Sequence, residues 1–133
     1  MTTQRWFISI PPAGAARVVA LHAADAIKNR LGIQNIKVFD CLAYQNGFAN
    51  LLKVNDEDIS VDLLNQSLVV SCLDFDATVF LSGALSPVTL FTLRLLKKQN
   101  IKTIHWFYES YKRASYWQMV VSGYDHFLAI QKG

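Results

Sequence analysis

The sequence predicts an α/β fold built on a parallel β-sheet. Three observations point there. Five short apolar runs recur along the chain, stretches with helical periodicity separate them, and most of the runs are continuous rather than alternating. Continuous apolar runs suit strands covered on both faces, and strands alternating with helices imply right-handed crossovers and parallel pairing.

The first run is Trp6-Phe7-Ile8-Ser9-Ile10, ended by Pro11-Pro12. Next comes an apolar stripe at three- and four-residue spacing (Ala16, Val19, Ala20, Ala23, Ala26, Ile27, Leu31), which predicts a helix closed by Gly32 as its C-terminal cap. The second strand is Ile36 to Phe39. Leu42 to Leu52 reads as helical despite Gly47, and Asn55 to Asp58 as an exposed loop. Val61, Leu64, Leu68, Cys72 and Phe75 form a second stripe, with Ser60 as N-cap. The third strand, Ala77 to Leu81, ends at Ser82-Gly83. Ser86 followed by Pro87 predicts a helix start, and Lys97-Lys98 complement its C-terminus. Strand four is Thr103 to Phe107. A last helix, capped by Ser115 and carrying Trp117, Val120, Val121 and Tyr124, precedes strand five, His126 to Ile130. The expected architecture is a three-layer Rossmann-like or flavodoxin-like sandwich, a five-stranded parallel sheet in the order 2-1-3-4-5 with helices on both faces.

Composition bounds the function. The 133 residues suit a single domain, residues 1–133, with a radius of gyration of roughly 14 Å. Apolar residues make up 52% and charged ones only 17%, which excludes disorder and leaves a charge-poor surface suited to a partner or a homo-oligomer contact. Net charge is +3, but the positive residues are scattered and form no basic stripe, so nucleic acid is not an expected partner. Cys41 and Cys72 show no CxxC pattern and read as buried reduced thiols of a cytoplasmic protein. The start of the chain lacks signal-peptide features, and the longest uncharged run, Ala77 to Leu93, is broken by Gly83 and Ser86-Pro87, so no membrane span is expected.

In such sheets ligands bind beyond the carboxyl ends of the strands, near the switch in strand order. The first loop there, Ile10 to Arg17, holds one glycine where a dinucleotide fingerprint needs three, and it has no Gly-Lys-Ser/Thr. Gly14 still leaves a small helix start that can receive a polar group, or simply makes a tight turn. A phosphorylation receiver is excluded because the required acids are replaced by Ser9-Ile10-Pro11 and Ser82-Gly83. His22, His105 and His126 have no metal spacing and read as packed histidines, so no metal site is expected. Asp74 and Asp76 most simply end a helix. Gly83 to Pro87 forms a glycine turn into a helix. Trp106 to Tyr111 places Glu109 among aromatics including Tyr108 and Tyr111. Such a group suits stacking and hydroxyl recognition on a sugar, and equally suits a hydrophobic rim against another domain.

The pattern Asp76-Ala77-Thr78-Val79-Phe80-Leu81-Ser82-Gly83 with Ser86-Pro87 resembles the spore-maturation CgeB-like glycosyltransferases. So do Ile101 to Ser110 and the ending Tyr124-Asp125 followed by an apolar strand. The resemblance covers Asp76 to Gly133, and the earlier residues only by topology. It implies the N-terminal, acceptor-side domain of a two-domain enzyme of the GT-B type, with a C-terminal donor-binding domain as its missing partner. A sugar or other hydroxyl compound would be the acceptor. By that resemblance Gly14, Gly83, Ser86 and Glu109 face the interdomain cleft, with Glu109 as the catalytic base. This domain would bind no cofactor, and a nucleotide sugar would be the co-substrate of the full-length protein. Pro11-Pro12 departs from the glycine-rich first loop common in such enzymes. The competing expectation is a non-catalytic flavodoxin-like protein-interaction module.

Overall fold

The computed structural model describes residues 4–83, 86–107 and 124–129. The chain is an α/β protein with a parallel sheet. In sequence order the elements are β1 (Trp6–Ile10), α1 (Gly14–Leu31), a short 3-10 turn (Ile33–Asn35), β2 (Ile36–Asp40), α2 (Cys41–Asn50), α3 (Glu57–Asp74), β3 (Val79–Gly83), α4 (Leu90–Lys98), β4 (Lys102–Phe107) and β5 (His126–Ala129). The strands pair in the order β2-β1-β3-β4-β5, every pair parallel. In register, Phe7 faces Phe80 and Phe80 faces Thr103, while Ile8 faces Leu81 and Leu81 faces Ile104.

The two faces of the sheet are filled differently. On one, α1 lays Ala20 and Ala24 against Ile8, Ile10 and Leu81. Small side chains let this helix approach the strands closely. On the other, Phe7, Phe39 and Phe80 pack with Phe48 of α2, Leu64, Leu68 and Cys72 of α3, and Leu93 and Leu96 of α4. The rings of Phe39 and Phe80 lie tilted against Phe7 at centroid separations of 5.8 and 6.2 Å, within the distance range of attractive ring pairs.

Several local expectations are corrected. α3 begins four residues earlier than its apolar stripe suggests. Asp56, not Ser60, is its N-cap, accepting from the amides of Asp58 and Ile59, and the expected loop at Asn55 to Asp58 is shortened accordingly. α4 begins later than the Ser86-Pro87 signal indicates. Thr89 caps it by accepting from the Thr92 amide, and Ser86 to Thr89 run outside the helix. The reason is tertiary. Asn65, buried on α3, donates to the carbonyls of Val61 and Pro87, while its oxygen accepts from the Thr89 amide and the Thr92 hydroxyl at 3.1 and 2.8 Å. This network holds the approach to α4 away from helical geometry.

In α1 the buried line is Ala16, Ala20 and Ala24, and Ala26 of the expected stripe is exposed. Gly32 has φ +88° and donates its amide to the Lys28 carbonyl, as a capping glycine should. β3 runs two residues beyond the apolar run, through Ser82 and Gly83. β2 is an edge strand with Lys37 and Val38 exposed, so it is not covered on both faces. Ser115, Trp117, Val120 and Val121 lie outside the described residues. Tyr124 is buried just before β5, in no helix.

At the amino end of the sheet, side chains tie connections to strands. Arg5 donates through Nε to the Phe75 carbonyl and through Nη1 to the Gln34 carbonyl, and its guanidinium sits 4.1 Å from the Phe75 ring centre. Asp125 accepts from the Thr103 amide at 2.8 Å and from its hydroxyl at 3.2 Å, and lies 3.6 Å from Lys97 Nζ.

Candidate functional site

The carboxyl ends of β1 and β3 flank the place where strand order switches, the position at which parallel sheets hold ligands. β1 leads through Pro11-Pro12 into α1. Pro12 has no amide proton, and the N-cap Ala13 offers no side-chain acceptor, so the start of α1 is uncapped by its own sequence. Gly14 has φ +73°, a left-handed conformation that glycine adopts without strain, and the space where a Cβ would stand is open. On the far side of the switch, β3 ends at the buried Gly83. The Ser86 amide donates to the Gly83 carbonyl at 3.2 Å. Ser86 itself is buried, with its hydroxyl 3.5 Å from the Ser9 carbonyl. The fold thus brings Gly83 and Ser86 together against β1, with Gly14 as the first residue of the helix that follows that strand. Glu109, Tyr108 and Tyr111 lie outside the described residues.

Beneath this end runs a buried polar row that sequence periodicity did not reveal. Ser9, Ser82 and His105 are register neighbours on β1, β3 and β4, and all three are sealed from solvent. Ser9 Oγ lies 3.4 Å from Cys41 Sγ at the start of α2, and His105 packs on the Tyr124 ring at 4.8 Å. Burial pushes the His105 imidazole down to about 4, so it is neutral at pH 7. Burial likewise pushes the Cys41 thiol up to about 11 and the Cys72 thiol to about 12, which leaves both unreactive as nucleophiles near neutrality. Both cysteines are free. Among the histidines, His105 is packed as expected, whereas His22 is exposed on α1.

One charged pair borders the crevice. Arg17, in the first turn of α1, grips Asp40 at the end of β2 through both guanidinium nitrogens, with Nη2 to Oδ2 at 2.8 Å. The same carboxylate accepts the Leu42 amide and so caps α2. The hydrogen bond from Arg17 holds the Asp40 carboxyl below the usual carboxylate range, and the reciprocal bond raises Arg17. A bidentate pair of this kind fixes both side chains and satisfies the arginine's charge. Sequence reasoning missed it. The only signal was an acid just after an apolar strand, and its basic partner lies 23 residues away.

What the described end of the sheet can do chemically follows directly. Its described residues give a helix start without a side-chain cap and an open glycine, with Arg17 already paired. No group of three histidine, cysteine or acidic side chains is placed to hold a metal among the described residues. No helix among them is long and apolar enough to cross a membrane. The Tyr124-Asp125 step has an evident structural task at the opposite end of the sheet, because Asp125 pins Thr103 and Tyr124 covers His105. Comparison of the chain with family models, curated proteins and solved structures finds no match.

Proposed function

We propose that the chain is the acceptor-side domain of a glycosyltransferase using a nucleotide-activated sugar, built as a three-layer flavodoxin-like sandwich with its ligand edge at the carboxyl ends of β1 and β3. The observation that carries this reading is the electrostatic character of that edge. Among the described residues Arg17 is neutralised by Asp40, beside an open Gly14 and the buried serines Ser9 and Ser86. Among the described residues the arginine at this edge is already paired, which leaves hydrogen bonding to a hydroxyl-bearing acceptor as the contact we assign to it. The nucleotide sugar then belongs to a second domain, and the free, buried thiols fit a cytoplasmic setting. Glu109 follows β4 in sequence and is the proposed base that removes the acceptor proton.

Two measurements test the reading. In the full-length enzyme, Glu109→Gln should lower kcat by about 10²–10⁴ while leaving the fold intact. Unchanged kcat would remove Glu109 from the site. The 133-residue chain alone should not turn over a nucleotide sugar, because both walls of the cleft are needed, and measurable turnover would overturn the division of labour.

A second reading, a protein-interaction module, is favoured by a specific observation. Phe91 is 70% exposed and Val70 67% on neighbouring helices, and Leu51 is 81% exposed at the end of α2. A parent reading frame without a second α/β domain, together with full activity of Glu109→Gln, would favour this module.

A further inference from the structure

The face formed by α3 and α4 is self-complementary, and we infer that it joins two copies of this chain across a two-fold axis. A groove of about 610 Å³ runs between the two helices, walled by Asp62, Gln66, Val69 and Val70 on α3 and by Phe91 and Leu95 on α4. Its polar floor, Asn65 with Thr89 and Thr92, is occupied by mutual hydrogen bonds and offers nothing to a polar ligand. The exposed phenylalanine and valine therefore call for an apolar cover.

The arrangement of charge on this face specifies the cover. Both helices return from the carboxyl end of the sheet to its amino end, so they run parallel to each other. At the carboxyl end, α3 presents the exposed Asp62 in the same groove as Phe91 of α4. At the amino end, α4 presents the exposed Arg94 and Lys98 beside Val70 and Leu73 of α3. Asp62, Arg94 and Lys98 form no ion pair among the described residues. Acid and apolar groups thus alternate diagonally with apolar and basic ones.

A second copy turned by a two-fold axis lays its α4 antiparallel on this α3. Asp62 then meets the partner's Lys98 and Arg94, and Val70 meets the partner's Phe91. The spacing agrees. At 1.5 Å per residue, Asp62 and Val70 are separated by about 12 Å along α3, and Phe91 and Lys98 by about 10.5 Å along α4. Each contact occurs twice, as an isologous interface requires, and the two Phe91 rings are its aromatic anchors, one on either side of the axis. This interface lies away from the edge assigned to the acceptor, and its fate in the test below is independent of that assignment.

The test is a charge exchange followed by sedimentation velocity on the full 133-residue chain. The unaltered chain should sediment as a dimer. Asp62→Lys places like charges opposite each other twice, as does Arg94→Glu with Lys98→Glu, and each should weaken self-association at least about tenfold. Mixing the two altered chains restores opposite charges at both contacts, so the mixture should form a heterodimer where neither chain dimerises alone. Phe91→Asp should leave a monomer with an unchanged circular dichroism spectrum, because the ring is exposed and its loss does not touch the core. A monomeric unaltered chain, or a dimer indifferent to Phe91→Asp, overturns the proposal. Failure of the mixed variants to pair would do the same for the two-fold arrangement.

Discussion

At the amino end of the sheet, Arg5 reaches two carbonyls at 2.9 and 3.1 Å and Asp125 closes on both polar atoms of Thr103. At the carboxyl end, Ser9, Cys41 and Ser86 meet only through long contacts of 3.4 and 3.5 Å, and α1 starts without a side-chain cap. The difference teaches a division common to parallel sheets. Among the described residues, one end is closed by charged side chains that lock connections onto strands, and the other, where such sheets hold their ligands, has longer contacts. Among the described residues Arg17 with Asp40 is the exception at the carboxyl end, and Asp40 lies on the edge strand β2.

The largest expected effect comes from the polar row beneath the carboxyl end. His105 is neutral and 1% exposed, with its folded value lowered to about 4 from the ordinary 6.5. Between those values the unfolded chain binds the proton and the folded one does not, so stability rises with pH across that window and falls on acidification. The loss should reach about 3 kcal/mol by pH 4, read from urea unfolding at stepped pH. His105→Gln should flatten the slope in that window. A slope that survives the substitution assigns it to other groups.

Next in size is the lock at the amino end. Asp125→Ala should cost about 2 kcal/mol, because it leaves the Thr103 amide without its carboxylate partner. Burial pushes the Asp125 carboxyl up, but the Thr103 hydrogen bonds and the Lys97 charge outweigh it and the net direction is downward. Its stabilising share is therefore present above the ordinary carboxylate value and lost as pH falls through the lower folded one. Asp125→Asn should remove that acid dependence.

Gly14→Ala should cost about 1 kcal/mol from left-handed backbone strain alone, since a Cβ there meets no neighbour. Thermal unfolding measures it, and a larger loss would mean that the open space is filled in solution. Smallest of all, Ser86→Ala should cost under about 0.5 kcal/mol, because its hydroxyl contact is long. Equal costs for Ser86→Ala and Asp125→Ala would erase the contrast between the two ends.

Much of the fold was legible because periodicity is a local property. The continuous apolar runs at Trp6 to Ile10 and at Val79 to Leu81 mark strands buried on both faces, and the alanines of α1 mark a close-packed helix. The candidate site was less legible. Gly14 could be placed on the ligand side from the strand-then-glycine pattern, but the capture of Arg17 by Asp40 and the row Ser9–Ser82–His105 join residues whose sequence neighbours give no hint of the pairing.

The sequence by itself determined the alternation of strands and helices, the capping role of Gly32 and the parallel sense of the sheet, since each follows from residues within one turn or one crossover. Tertiary structure decided where α4 begins, whereas the start of α3 follows from a local cap. Ser60 and Ser86-Pro87 are sound local start signals, yet Asp56 captures the first amides of α3 earlier, and Asn65 draws Pro87 and Thr89 into a buried network 22 and 24 residues away in the chain. A buried amide must satisfy its donors and acceptor wherever the packing brings partners within reach, and that requirement outweighs a helix-start preference worth about 1 kcal/mol.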